Sequence, residues 1–373
     1  MKIAINLLPF RKKIAGAGKY AQKIVQELSK IDHQNDYYLF VTEQGKSNFE
    51  NLSENFHFIT PKFNPELIII RIFWEQFIFP VKLKKIKPDR IFTPSVAIPL
   101  LYKGKFYTTI HDLAYKKSKH KYSFMRKKYI GLVTNIAAKK SNVIFTVSNF
   151  SKMQIEDYFK FKDKKVMVTY NGVEDVFFRD VDETEKSVFK KNYKLPDNYI
   201  LYVGAIEPGK NLDKVFKAFS KFLVNYKLNY FLVLTSGIGW NHKYLMVLLK
   251  DLGIEDKIIF LPYIPENELP LLYKCSEMLV YLSDYEGFGI PVLEALATET
   301  PAITSKSEAI QEFAGQAVIS VNPSRIEEVA DMINEIITNK DFRLKKINEG
   351  KLLAQKFTWK NSAEIIHRQL TLG

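Results

Sequence analysis

The chain has 373 residues, 46% of them hydrophobic and 14% aromatic, with 55 Lys and Arg against 41 Asp and Glu for a net charge of +14. That length favours two domains, and the apolar share excludes a mainly disordered chain. The single cysteine, Cys275, excludes an intramolecular disulfide and any paired-cysteine metal or redox site.

Lys2 to Leu8 (KIAINLL) reads as a buried first strand, followed by a turn at Gly16-Ala17-Gly18 and helical spacing from Lys19 to Ser29. In MKIAINLLPFRKK the charge comes after the apolar run, the reverse of a secretory signal. Tyr37 to Thr42 and Phe56 to Ile59 are further strands, and residues 66–80 fit a helix with Arg71 and Glu75 on its polar side. The apolar stretch from Leu67 to Val81 is broken by Arg71, Glu75 and Gln76 and is too short to span a membrane. Strands follow at Asp89 to Thr93, Phe106 to Ile110, Val143 to Val147 and Val166 to Thr169, with a long basic helix from Tyr122 to Lys140. Residues 172–198 are polar and charged.

The pattern then restarts. Tyr199 to Val203, Tyr230 to Leu234, Ile258 to Leu261, Met278 to Leu282, Pro301 to Thr304 and Ala317 to Ser320 are short apolar strands. Helical segments lie at Leu212 to Tyr226 and near 241–252, 266–274 and 291–298, and close the chain at Ile326 to Thr338 and Asp341 to Lys356. Such alternation indicates parallel sheets covered on both faces. The expected architecture is α/β, with two Rossmann-like domains facing each other across a deep cleft, where ligands bind at strand C-terminal edges.

Net positive charge draws an anionic partner. Lys82, Lys84, Lys85, Lys87 and Arg90 form one cluster, and Lys116, Lys117, Lys119, Lys121, Arg126, Lys127 and Lys128 form another, interleaved with Tyr115, Tyr122, Phe124 and Met125. An anionic membrane surface or single-stranded nucleic acid would select such a mixture, and so would a plain solvated face.

The sharpest motif is Glu286-Gly287-Phe288-Gly289-Ile290-Pro291-Val292-Leu293-Glu294. Pro291 suits a first helical turn, Gly287 and Gly289 permit close backbone approach, and a helix N-terminus favours an anion. Glu286 and Glu294 can accept hydrogen bonds from ligand hydroxyls on either side of a bound phosphate. Gly204-Ala205-Ile206-Glu207-Pro208-Gly209-Lys210-Asn211 also joins strand to helix, and Lys210 can neutralise a phosphate. Gly16 and Gly18 lack the full dinucleotide fingerprint and read as a turn that a ligand can approach. His111, beside Asp112 at a strand end, points to a ligand site or to a structural imidazole. The six histidines show no metal-ligand spacing, and there is no nucleophile elbow or P-loop.

Taken in order, these motifs resemble glycosyltransferase family 4, the retaining glycosyltransferases of the GT-B fold, over nearly the whole chain. Glu286 to Glu294 matches the family's E-x7-E signature. Gly16-Ala17-Gly18, Arg71 to Pro80 (RIFWEQFIFP), His111-Asp112-Leu113, Val147 to Ser151, Asn171-Gly172-Val173, Glu207 to Asn211 and Phe357-Thr358-Trp359 match further family stretches.

The resemblance implies transfer of a hexose, mannose favoured, from a GDP- or UDP-linked donor, with retention and without a metal or other cofactor. Glu286 and the backbone of Gly287, Phe288 and Gly289 would hold the donor sugar, and Glu294 the ribose. Lys210, with Gly16, Gly18, Gly209 and the amides near Ile290, would face the diphosphate, and His111 a sugar hydroxyl. It also implies a polyprenyl-diphosphate-linked saccharide acceptor, as in O-antigen or capsule assembly, and a cytoplasmic protein on the inner membrane face, with no nucleic acid. A soluble acceptor, an epimerase of the same fold, a nucleic-acid-binding module and an inactive assembly partner are the alternatives. Expected boundaries are 1–172 for an acceptor domain, 173–198 for a linker, 199–356 for a donor domain and 357–373 for a helix crossing back. Two departures stand out: Gly209 where the family often has Arg, and Ala205 where some relatives place an Arg.

Overall fold

The computed structural model describes residues 1–10, 16–62, 67–117, 123–161, 164–235 and 242–372. Lys119, Lys121 and Tyr122 of the basic cluster, and the first residues of the helices expected at 66 and 241, lie outside the described residues. The chain divides into two compact units, one of Met1–Lys116, Tyr122–Gly172 and Thr358–Gly373, the other of Lys117–Lys121 and Val173–Phe357.

The first unit is built on seven parallel strands: β1 (Lys2–Asn6), β2 (Asp36–Phe40), β3 (Phe56–Ile59), β4 (Arg90–Thr93), β5 (Phe106–Thr109), β6 (Ser141–Thr146) and β7 (Lys165–Val168), in the order β3-β2-β1-β4-β5-β6-β7. The second carries β8 (Tyr199–Val203), β9 (Phe231–Thr235), β10 (Ile258–Leu261), β11 (Met278–Tyr281), β12 (Ala302–Ser305) and β13 (Ile319–Val321), in the order β10-β9-β8-β11-β12-β13. Both sheets are doubly wound, as the apolar runs predict. Strands such as β5, β11 and β12 are buried along their whole length because helices cover both faces. In each sheet the strand order reverses once, between β1 and β4 and between β8 and β11.

Helix ends follow local chemistry. Ser148 accepts from the Ser151 amide at 3.0 Å and opens a helix over Asn149–Phe159, which periodicity did not predict because so few of its residues are buried. Asp182 does the same for Glu185 at 2.7 Å, so the stretch expected to be linker contains a helix, Glu183–Tyr193. Of the expected Gly16-Ala17-Gly18 turn, only Gly16 is a turn residue, with φ of +50°. Ala17 and Gly18 already belong to the helix Ala17–Ile31. Trp359–Leu372 forms a helix that packs on Ala17–Ile31 within the first unit, where His367 meets the Asp32 carboxylate at 2.9 Å.

The facing expected for the helix at 66–80 is reversed. The helix runs to Ile86 through a π-turn at Trp74–Ile78, because Pro80 has no N–H to donate and its ring crowds the carbonyl of Gln76. Trp74, Phe79 and Leu83 face the core. Glu75, expected on the polar side, is only 4% exposed, whereas Ile69, Phe73, Phe77 and Val81 are 83%, 55%, 56% and 63% exposed. Burial raises the Glu75 carboxyl to about 7, against the opposing pull of Arg71 and Asn6.

Two outcomes follow from these packings. A Cβ on Gly172 would stand 2.2 Å from the backbone nitrogen of Trp359, a collision that flexible side chains cannot relieve. Gly172→Ala should therefore cost about 3 kcal/mol, read as a lowered urea midpoint. Because the folded pKa of Glu75 lies above its unfolded value, the native state binds a proton that the unfolded state releases, and stability falls as pH rises from about 4.5 to about 7. Glu75→Gln should match the parent at pH 4 and exceed it by about 3 kcal/mol at pH 8 in urea unfolding. Equal stabilities at both pH values would contradict the burial argument.

Candidate active site

In the second unit the site forms where the strand order reverses. β8 runs out into Gly204 to Asn211, and β11 into the loop that ends at Gly289. Lys210 and Glu286 are 76 positions apart, yet the Lys210 Nζ donates to Glu286 Oε1 at 2.5 Å and to the Tyr281 hydroxyl at 2.9 Å. Tyr281, the last residue of β11, donates to the same carboxylate oxygen at 2.7 Å. Burial by itself would lower the Lys210 pKa. Tyr281 and Glu286 overcome that and hold it well above its ordinary value, so Lys210 is a fixed cation.

The two loops are tied together beyond this cluster. Asn211 caps the helix Leu212–Tyr226 with φ of +53°, a conformation Asn tolerates, and donates to the Leu282 carbonyl at 2.7 Å and the Asp284 carboxylate at 2.5 Å. The Asp284 amide donates to the Gly209 carbonyl at 2.8 Å. Gly209 has φ of +89°, where a side chain strains the backbone.

Gly289, with φ of +111°, ends the second loop and caps the helix Ile290–Ala297, whose first turn carries Pro291. The positive end of that helix dipole lies beside Gly287 to Ile290. The Phe288 ring is buried and stacks on Phe313 at 4.4 Å, so only the backbone of Phe288 is available to a ligand. Glu294 is buried inside the helix, and its Oε2 accepts from the Tyr273 hydroxyl at 2.9 Å. Lys210, Glu286, Gly287, Gly289 and Ile290 thus share one sheet edge, with Glu294 a turn further along. Tyr281, Tyr273 and Asn211 are the contributors that sequence reasoning missed. Tyr281 and Tyr273 sit in ordinary apolar runs, and only the β8–β11 pairing brings Tyr281 to Lys210.

Gly16, Gly18 and His111 belong to the first unit. His111 follows β5, packs edge-on against Tyr20 at 5.0 Å, and its Nε2 stands 3.1 Å from the Pro94 carbonyl. A carbonyl only accepts, so Nε2 carries the proton and Nδ1 of the neutral ring is an acceptor. Burial lowers the His111 pKa, while Pro94 and Asp112 pull it back up. Among the described residues no three His, Cys, Asp or Glu stand together as a metal site. No described helix is long and apolar enough to cross a membrane.

Two doubly wound sheets, with a cation, a carboxylate and a helix N-terminus at one strand-order reversal, have the architecture of the GT-B class and an edge suited to an anion. The Glycosyltransferase Family 4 profile matches residues 14–176, and the profile of group 1 glycosyl transferases matches residues 183–352. The O-antigen chain mannosyltransferase RfbU of Salmonella typhimurium is 31% identical over 274 residues, which span 69% of this chain and 71% of that protein. The O-antigen chain mannosyltransferase B of Escherichia coli is 26% identical over 68% of this chain and 67% of its own length. Sucrose-phosphate synthase from Thermosynechococcus elongatus has the same fold, with a TM-score of 0.81 at 17% identity over 99% of this chain and 98% of that one. The chain belongs to glycosyltransferase family 4, among the group 1 enzymes related to bacterial O-antigen mannosyltransferases.

If Lys210, Tyr281 and Glu286 act as one cluster, Tyr281→Phe removes one of the two donors on Glu286 and leaves the ion pair. That variant should keep its fold and lose about tenfold in nucleotide affinity by calorimetry. An unchanged affinity would place Tyr281 outside the site.

Proposed function

We propose that this enzyme transfers a hexose, mannose by preference, from a GDP- or UDP-linked donor to a saccharide carried on a lipid, with retention at the anomeric carbon and without a metal. The observation that carries the donor half is the Lys210–Glu286–Tyr281 cluster at the strand-order reversal of the second sheet. A diphosphate reaching that edge meets the Lys210 ammonium and the N-terminal end of the helix Ile290–Ala297. Gly209 offers backbone to the same anion. Glu286 then takes a hydroxyl of the sugar, as do the amides of Gly287, Phe288 and Gly289. Glu294 takes the ribose, and in the first unit the unprotonated Nδ1 of His111 is an acceptor suited to a sugar hydroxyl.

The chemistry needs no nucleophile from the protein. The bond from the anomeric carbon to the diphosphate oxygen breaks, the acceptor hydroxyl attacks the same face, and its proton passes to the departing phosphate. Negative charge grows on the diphosphate as the bond breaks, and a fixed lysine beside it stabilises that state more than the ground state.

The relatives' names support mannose and a surface glycan as acceptor. Support for a lipid-linked acceptor also comes from the first unit. The exposed Ile69, Phe73, Phe77 and Val81, and Phe124 and Met125 on the helix Phe124–Lys140, are accompanied by the exposed Lys82, Lys84, Lys85 and Lys128. Apolar side chains beside cations suit an anionic bilayer.

A panel of UDP, GDP, dTDP and ADP, with and without magnesium, tests the donor half. One nucleotide should raise the melting temperature without magnesium, by the equivalent of about 3 kcal/mol at a hundredfold excess over its dissociation constant. Lys210→Ala should abolish that shift and most of the transfer, and near-normal activity would sink its role. Reversing Lys82, Lys85 and Lys128 to Glu should release the protein from vesicles containing phosphatidylglycerol. Unchanged co-sedimentation would mean that these lysines are merely solvated.

A further inference from the structure

The second unit holds a cavity of about 360 Å³ where β11, β12 and β13 end. Its walls come from the segments leaving those three strands, at Ser283, at Lys306 and Ser307 and at Asn322, and from Arg325 and Glu328 at the start of the helix Ile326–Thr338. Lys210, Glu286 and Gly287 to Ile290 are not part of its lining. It is therefore a different opening from the donor edge at β8 and β11.

Three of the lining residues each bury a polar atom that has no hydrogen-bond partner: Ser283 Oγ, Ser307 Oγ and Glu328 Oε2. Ser283 and Ser307 are only 1% and 3% exposed. Unsatisfied buried groups are costly and rare, and a ligand or water that completes them is a common reason for keeping them.

Packing does not account for these three atoms. Ser307 precedes the helix Glu308–Ala314, where a serine hydroxyl ordinarily accepts from a helix amide, as Ser123 and Ser148 do at their own helices. The Ser307 hydroxyl makes no such bond. Its neighbour Ser305 shows the contrast, since that hydroxyl donates to the Ser283 carbonyl and ties β12 to β11. The Arg325 Nη1 stands 3.6 Å from Glu328 Oε2, beyond hydrogen-bond range.

The chemistry of the lining narrows the ligand. A carboxylate oxygen only accepts, so Glu328 needs a donor, and a serine hydroxyl can serve as either. Ligand hydroxyls meet that demand. Lys306 and Arg325 are exposed at the rim, and an ammonium beside a guanidinium suits a phosphate. Inorganic phosphate would be repelled by Glu328, and a neutral sugar would leave the two cations to water. No aromatic side chain is among the described residues of the lining, so a glycan held by ring stacking gains nothing here. The volume is near the lower limit for small-molecule sites and suits one sugar ring with its phosphate.

We infer that this cavity binds a phosphorylated monosaccharide, with ring hydroxyls on Ser283, Ser307 and Glu328 and the phosphate between Lys306 and Arg325. The site is additional to the donor edge, and a nucleotide and the sugar phosphate bind at the same time.

The probes are mannose 6-phosphate, glucose 6-phosphate and mannose 1-phosphate, with methyl mannoside and inorganic phosphate as controls that each carry half of the ligand. Binding to the full chain is read by isothermal titration calorimetry with no nucleotide present. At least one sugar phosphate should bind about tenfold more tightly than either control. Lys306→Ala and Glu328→Ala should each weaken it about tenfold, and Ser307→Ala about fivefold. Because the Ser307 hydroxyl caps nothing, its loss should leave the melting temperature where it was.

Failure of every sugar phosphate to bind would overturn the inference, and the three buried atoms would then hold water only. Inorganic phosphate or methyl mannoside binding as tightly as the best sugar phosphate would overturn it too, as would three variants that bind like the parent. Competition with a nucleotide that the chain binds would place the sugar phosphate at the donor edge and likewise overturn it. Should no nucleotide bind, the donor reading fails by itself, because the titrations contain none.

Discussion

A parallel sheet that is wound in both directions has one place where neighbouring strands send their following chains to opposite faces. Nothing in the sheet itself can fill the gap left there, and the backbone groups at the strand ends point into it. This chain has two such places, at β1/β4 and at β8/β11. Most of its chemistry depends on them. Lys210 and Glu286 meet only because β8 and β11 are neighbours, although β9 and β10 lie between them in sequence. Asn6, Arg71 and Glu75 are gathered in the same way at the other reversal.

The two reversals are filled by opposite electrostatic solutions. In the second unit the cation and carboxylate are in direct contact and share a tyrosine, so each charge is satisfied and the side chains are held in place. A lysine fixed in this way needs little reorganisation to face a phosphate, which is where electrostatic catalysis gains most. In the first unit the guanidinium and carboxylate stop short of contact, and both keep buried atoms without partners. The first arrangement is already complete as a charged cluster.

Glycine and proline mark the positions where backbone geometry outweighs side-chain identity. Gly172 is required because the backbone of Thr358 and Trp359 passes against it, which explains why the Asn-Gly-Val and Phe-Thr-Trp stretches occur together. Gly209 sits at a positive φ that favours glycine in the loop before Lys210. Pro80 forces a π-turn into a helix that the hydrophobic pattern alone would continue smoothly.

All thirteen strands among the described residues could be read from the sequence, because a strand buried on both faces is a short apolar run and little else produces that pattern. The Glu286–Glu294 motif was legible for a related reason: its glycines, proline and acids act through local backbone geometry. Burial of charge was not legible. A helix with Arg71 and Glu75 on one side and Phe73 and Phe77 on another looks as if its aromatics face the core, and periodicity cannot tell which stripe meets the sheet. Tyr281 and Tyr273 were equally hidden, because a tyrosine in an apolar run gives no sign of what its hydroxyl will meet.

The sequence by itself therefore determined the elements, the class of sheet and the loops proposed to carry the donor chemistry, all of which rest on interactions within a few residues. The tertiary structure decided which side chains meet across the sheet and which face of a helix is buried. Those depend on contacts between segments far apart in the chain, and hydrophobic periodicity carries no record of them.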